Sequence, residues 1–221
     1  MRFARYTLSA GAAAGASLMA MPAMAHHPLA GEAMTTFGDG LLSGIGHPII
    51  GFDHLFFIAA MGVAAAFTAQ RYLAPLAFIV AMALGIALVV SGITLPLVEP
   101  VIALSLLVVG VLIMRGRALA MTVALGLFAV VGLFHGWAFG EALAGQEGGA
   151  PLPVAAGYLI GLAATQWAIA VGAGLLVTNA LKATQAAAMP ARLAGAAVAG
   201  MGLFLTLEVA EAAVFSALGI G

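Results

Sequence analysis

Tyr72–Leu95 reads YLAPLAFIVAMALGIALVVSGITL, 24 residues without one Asp, Glu, Lys, Arg or His. A helix of that length rises about 36 Å, enough to cross a hydrocarbon layer of roughly 30 Å. In a medium without water, a helix is also the local structure that satisfies every backbone N–H and C=O. Stretches of this kind recur along nearly all of the 221 residues, which are 64% hydrophobic and 7% charged, with a mean hydropathy of +1.19. That balance excludes a water-soluble core and sets the expected fold class: all-α, a polytopic helix bundle whose solvent is a lipid bilayer. Hydropathy and punctuation predict six spans, at Phe37–Ala69, Tyr72–Leu95, Glu99–Met114, Ala118–Leu143, Pro153–Leu181 and Pro190–Leu218.

Outward from these spans, the N-terminus carries Arg2 and Arg5, an apolar stretch from Leu8 to Met21, then Pro22 and the small-residue triplet Ala23-Met24-Ala25. Met1–Ala25 therefore reads as a secretory signal peptide, with residues 26–221 as a single transmembrane domain; an uncleaved first helix is the alternative. Cleavage after Ala25 places His26 and His27 in the periplasm. With the mature N-terminus outside, the loops bearing Arg71, Arg115 with Arg117, and Lys182 with Arg192 all fall in the cytoplasm. This matches the positive-inside bias of short loops and predicts a multi-pass protein of the bacterial inner membrane.

The acidic residues sort oppositely. Glu32, Asp39, Glu99, Glu141 and Glu147 lie at or beyond the expected periplasmic ends, while Asp53, Glu208 and Glu211 lie within spans. Carboxylates at one mouth raise the local concentration of a cation before it enters. For Glu32 and Glu147, ordinary solvated loop charge is the better reading. A net charge of −1 with singly spread basic residues excludes nucleic acid as a partner. The chain has no cysteine, so any metal must be held by histidine, carboxylate, thioether or backbone oxygen.

The chemically informative stretch is Gly46-His47-Pro48-Ile49-Ile50-Gly51-Phe52-Asp53-His54, inside the first span. An ionisable side chain there costs on the order of 3 kcal/mol, so three in eight residues call for a partner. On a straight helix His47 and His54 would share a face roughly 10 Å apart, too far for one ion. Pro48 removes a backbone donor and Gly51 permits a sharp bend, so a kink or unwound segment is expected to draw the side chains together beside a protein-lined cavity. Imidazole with carboxylate suits nickel, cobalt or zinc and binds only once protons have left, so uptake should be sensitive to pH. A proton-sharing Asp53–His54 pair that merely stabilises the bundle is the bland alternative.

A second constellation, Phe134-His135-Gly136-Trp137-Ala138-Phe139-Gly140-Glu141, lies toward the periplasmic end of the fourth span. His135 is a further ligand candidate or a hydrogen-bonded packing histidine, and Trp137 an interfacial anchor. The Gly132, Gly136 and Gly140 series lets a neighbour, expected to be the first span, approach closely enough for His135 to meet His47 or Asp53. Gly40 with Gly44 and Gly157 with Gly161 repeat the same small-residue spacing. Glu208 and Glu211 share one helix face and would extend a polar path or share a proton. Glu99 is a mouth residue or a helix-start acid; His26 and His27 are metal-capture candidates or incidental.

Both constellations resemble the HupE/UreJ family of hydrogenase- and urease-associated membrane proteins, whose hallmark is a histidine, five residues, then Asp-His; here that is His47 through Asp53-His54. The likeness continues through Leu55 and Gly62, Val98-Glu99-Pro100 to Leu104-Ser105, and Phe134-His135-Gly136 with Gly140-Glu141. It implies a secondary nickel or cobalt permease of about six spans, with His47, Asp53, His54, His135 and Glu141 as functional positions. The chain departs from the family pattern at Trp137, Phe139 and Gln166-Trp167, where further histidines are usual.

The expected function is inward secondary transport of Ni2+ or Co2+ for metalloenzyme maturation. The partners are the bilayer, the ion and maturation proteins, and no cofactor is permanently bound. No Gly-rich Lys-Ser/Thr nucleotide loop occurs in the sequence, so the membrane potential is the expected drive. The rivals are a membrane metal-binding accessory subunit without flux and an intramembrane metal-dependent hydrolase, the latter without an HExxH motif.

Overall fold

The computed structural model describes residues 33–146 and 149–219. The expected signal peptide, His26, His27, Glu32 and Glu147 lie outside the described residues. Among the described residues seven helices follow in order: α1 Phe37–Ile50, α2 Phe52–Ala66, α3 Ala74–Val90, α4 Val98–Met114, α5 Met121–Ala144, α6 Leu152–Leu175 and α7 Met189–Leu218. A π-helical turn, Leu176–Ala180, prolongs α6. There is no strand among the described residues.

Among the described residues, three helices are long and apolar enough to cross a membrane unaided: α5, α6 with its π turn, and α7. Counting α1 and α2 together as one broken span makes four. The α3 and α4 helices are equally apolar but only 17 residues long, the lower end of what a hydrocarbon core requires. The Tyr72–Leu95 stretch is therefore helical over a shorter length than expected. Pro75 sits in the first turn of α3, and the chain leaves the helix at Ser91 through Gly92, whose φ of +78° a side chain would resist.

The largest departure is in the first expected span, which is two helices meeting at an 80° bend. Pro48 sits in the last turn of α1, and Gly51 adopts an extended conformation. Hydrogen bonds still bridge the corner, from Gly51 N–H to the His47 carbonyl (3.1 Å) and from Leu55 N–H to the Gly51 carbonyl (2.8 Å). Glycine is needed at the corner for space rather than for its backbone angle. A Cβ there would stand 2.8 Å from His54 Cδ2 and 3.3 Å from Asp53 Oδ1.

Glycines set which helices touch. Gly40 and Gly44 of α1 abut the backbone of Val154 and Tyr158 on α6, and Gly157 and Gly161 of α6 abut Phe37 and Leu41 on α1. Each helix thus supplies the small residues that the other's backbone enters. The α6 contact resumes on α2, where Gly62 meets Ala170. Gly132 and Gly136 of α5 lie against Phe78 and Met82 of α3, and Gly85 answers from α3 against Leu133 and Trp137. The expectation that this series receives the first span is therefore corrected: its partner is α3. Gly110 of α4 and Gly195 of α7 pair likewise.

The ends of the bundle differ in charge. Arg192 donates from Nε to the Met114 carbonyl (3.1 Å), which ties the α4–α5 turn, with Arg115 and Arg117, to the start of α7. Arg117 and Phe67 line one crevice, so the turn after α2, which carries Arg71, sits at the same end. At the other end Glu99 and Glu141 are close enough to repel. Asp39 serves the fold: its carboxylate accepts from Thr35 and Thr36 N–H while Thr36 Oγ1 accepts from Asp39 N–H, a capping box that starts α1.

Candidate metal centre at the helix break

The break carries out what a straight helix cannot. His47 lies in the last turn of α1, while Asp53 and His54 occupy the first turn of α2, and the two imidazole centroids come to 5.9 Å. The last turn of a helix presents partial negative charge and the first turn partial positive charge, so the corner sets a cation-favouring end beside a carboxylate-favouring one. Asp53 Oδ2 stands 3.8 Å from His54 Nε2. His54 is 8% exposed, and His47 and Asp53 are partly buried.

His135 of α5 is fully buried against this corner. Its Nδ1 lies 3.1 Å from His54 Nδ1, and its Nε2 lies 3.3 Å from Ser105 Oγ on α4. Ser105 donates to the Ile102 carbonyl one turn earlier (2.6 Å). The rings of Phe57 and Phe78 flank His135 at 4.6 and 5.5 Å. On the other side, Tyr158 of α6 lies 2.9 Å from His47 Nδ1 and donates its hydroxyl to the Phe139 carbonyl (2.7 Å). The Phe139 ring packs against both outer histidines, with centroids 5.1 Å from His47 and 4.3 Å from His54.

Four of the sequence candidates, His47, Asp53, His54 and His135, gather here from three helices. Among the described residues, no group of three or more histidine, aspartate or glutamate side chains is placed so that it could hold a metal ion. Glu141 is exposed at the end of α5, beside Glu99 rather than at the corner. Glu208 and Glu211 are exposed on the second half of α7. Trp137 donates its indole N–H to the Ile93 carbonyl (2.9 Å) at one end of α3, and Trp167 donates to the Tyr72 carbonyl (3.1 Å) at the other.

Ser105 and Tyr158 do not stand out in the sequence as site residues. Serine in an apolar helix commonly bonds its own preceding turn, and nothing in spacing alone shows that it also reaches a histidine 30 positions away. Tyr158 carries one usable signal. It stands beside Gly157 on the stripe that admits α1, so its hydroxyl was bound to enter the interface.

The family model described as HupE / UreJ protein matches residues 14–205 of this chain. Protein HupE from Rhizobium leguminosarum bv. viciae is 35% identical over 190 residues, which covers 85% of this chain and 92% of that relative. No solved structure matches the chain.

Proposed function

The chain belongs to the HupE/UreJ family, and from that premise we propose that it is a secondary permease carrying nickel or cobalt inward across the bacterial inner membrane for metalloenzyme maturation. The supporting observation is the gathering of His47, Asp53 and His54 at an 80° break in a helix pair whose other residues, apart from Asp39 in its first turn, are uncharged. Broken helices at ion sites expose backbone ends and side chains together where a straight helix would hide both. In this reading the bent pair and the five other helices make six spans, the end bearing Arg115, Arg117 and Arg192 faces the cytoplasm, and Glu99 and Glu141 face the periplasm, where they concentrate cations.

A divalent ion moving inward across 100 mV gains about 4.6 kcal/mol, twice the single-charge figure, which is enough to drive uptake without nucleotide hydrolysis. Neutral imidazole binds the ion and protonated imidazole does not, so uptake falls as the outer solution is made acidic. The first expectation for the full chain in sealed proteoliposomes is potential-driven accumulation of radiolabelled nickel or cobalt. His54→Ala should reduce that accumulation to the level of empty vesicles, with membrane insertion unchanged. Saturable binding without accumulation by the wild type would instead mark an accessory subunit, and undiminished uptake by His54→Ala would remove this residue from the path.

A further inference from the structure

Among the described residues the positive charge gathers at one end of the bundle. Arg71, Arg115, Arg117, Lys182 and Arg192 stand in or beside the turns that join α2 to α3, α4 to α5 and α6 to α7. All eight carboxylate side chains fall elsewhere in the sequence, with none between residues 54 and 98, 100 and 140 or 148 and 207. Among the described residues, none of these five cations makes an ion pair with a carboxylate. Three helices end at this side and three begin, so their dipoles nearly cancel and the side chains set its sign. At the border of a bilayer, the anion within reach is the phosphate of a lipid headgroup.

Two of the arginines stand at apolar crevices, one on each flank of the last turns of α2. Val63 and Phe67, one helical turn apart, form one flank, and Arg117 meets them there with Leu112, Ile113 and Leu119. Gly62 and Ala66 form the other, beside Ala170 and Gly174 of α6, and Arg71 and Tyr72 share that lining. Small residues bring α2 and α6 together here, Gly62 against Ala170, and leave no side chain to fill the furrow outside the contact. An apolar furrow with a cation beside it suits a molecule in which an acyl chain and a phosphate are joined, more than it suits a free anion.

The second crevice carries two further signs. Arg71 Cζ lies 4.7 Å from the centre of the Tyr72 ring. Stacking occupies the face of the guanidinium and leaves the N–H groups at its edge, in the fork geometry that a phosphate accepts bidentately. Trp167 donates its indole N–H to the Tyr72 carbonyl (3.1 Å), which ties the backbone of that residue to α6. Tryptophan and tyrosine side by side, both exposed, mark the headgroup level of a bilayer. The furrow on Gly62, Ala66 and Gly174 thus opens where headgroup gives way to acyl chain.

We propose that the arginine end of the bundle binds anionic phospholipid at two places, with the phosphate on Arg71 or Arg117 and an acyl chain in the crevice beside it. A lipid whose headgroup carries its own ammonium already has a cation near its phosphate and is held less well. Such binding needs the bundle in a membrane and no flux of metal.

The test uses the full chain purified in detergent, where no charged bilayer surface remains and only lipids held at sites stay bound. Phosphatidylglycerol and phosphatidylcholine with identical acyl chains are added in turn, and the lipids retained per protein are counted by native mass spectrometry. The wild type should retain two phosphatidylglycerols beyond its phosphatidylcholine level. Arg71→Gln and Arg117→Gln should each lose one, and the double variant both. Arg115→Gln and Lys182→Gln remove the same charge from this end but line neither crevice, and should retain both lipids. All four side chains are exposed, so size-exclusion profiles should match the wild type. Glycerol phosphate, which has the headgroup chemistry without the chains, should leave the count unchanged at millimolar concentration. Equal retention of the two lipids by the wild type overturns the proposal. So does an equal loss in Arg115→Gln and Lys182→Gln, the mark of diffuse attraction to a charged end, or displacement by glycerol phosphate, the mark of a free-anion site. No uptake is measured, so failure of the transport reading leaves this result standing, and the converse holds.

Discussion

Two of the glycine-lined contacts in this bundle, α3 with α5 and the first helix pair with α6, differ in one respect. Between α3 and α5 the series Gly132, Gly136 and Gly140 meets Phe78, Met82 and Ile86 turn after turn, and both helices stay unbroken. Along α6 the contact is interrupted. Gly44 meets Tyr158 and Leu162, and the next glycine in register, Gly62, meets Ala170. From Gly44 to Gly62 is 18 residues, whereas from Leu162 to Ala170 is only 8, so the surplus chain must leave the face of α6. It leaves as the corner that carries His47, Asp53 and His54. Close packing therefore supplies rigidity in one contact, and its interruption supplies the site in the other.

That contrast can be attacked at both ends. The largest effect is expected from Gly136→Leu, because even a Cβ there runs into the Met82 backbone. Overpacking of this kind costs about 1–3 kcal/mol and occasionally more, so little monodisperse protein should survive detergent extraction, as read by size-exclusion chromatography. Gly51→Ala tests the corner with the bundle intact. Its backbone angles suit alanine, but the methyl group would press on His54 and Asp53, so metal uptake should fall about tenfold while the melting temperature changes little.

Gln166 probes the interrupted stretch. It lies on α6 between Leu162 and Ala170, fully buried, and neither amide atom has a hydrogen-bond partner among the described residues. Replacing a buried unsatisfied amide by an apolar side chain of similar size removes a desolvation cost of about 1–3 kcal/mol. Gln166→Leu should therefore leave thermal stability equal to the wild type or raise it by a few degrees; a marked fall would mean that the amide is held by contacts its burial does not reveal. The smallest effect is expected from Glu208→Gln with Glu211→Gln. Both side chains are exposed on α7, and uptake should stay within about twofold of wild type, the size of change expected from a screened exposed charge.

Most of the helices were legible in the sequence because apolar runs of membrane length have few other uses. The bend was legible as well, since Pro48 and Gly51 both weaken a helix within four positions of each other. The partner of the α5 glycines was not legible. Small-residue spacing says that a helix approaches and carries no address for which one, so α3 took the place expected for the first span. The gathering of His47, Asp53 and His54 could be anticipated from their crowding in an apolar stretch. The hydroxyls beside them could not, because the contacts of Ser105 with His135 and of Tyr158 with His47 join residues 30 and 111 positions apart.

The bend has a further effect that concerns length rather than chemistry. As one straight rod, the 30 residues from Phe37 to Ala66 would measure about 45 Å, well beyond the roughly 30 Å of a hydrocarbon core. Two limbs of 14 and 15 residues set 80° apart reach only about 33 Å from end to end at 1.5 Å per residue. On the six-span reading proposed above, the corner matches an overlong segment to the thickness of its host layer without stretching or thinning the lipid. The unbroken 30 residues of α7 have no such adjustment, and they must lean steeply or protrude.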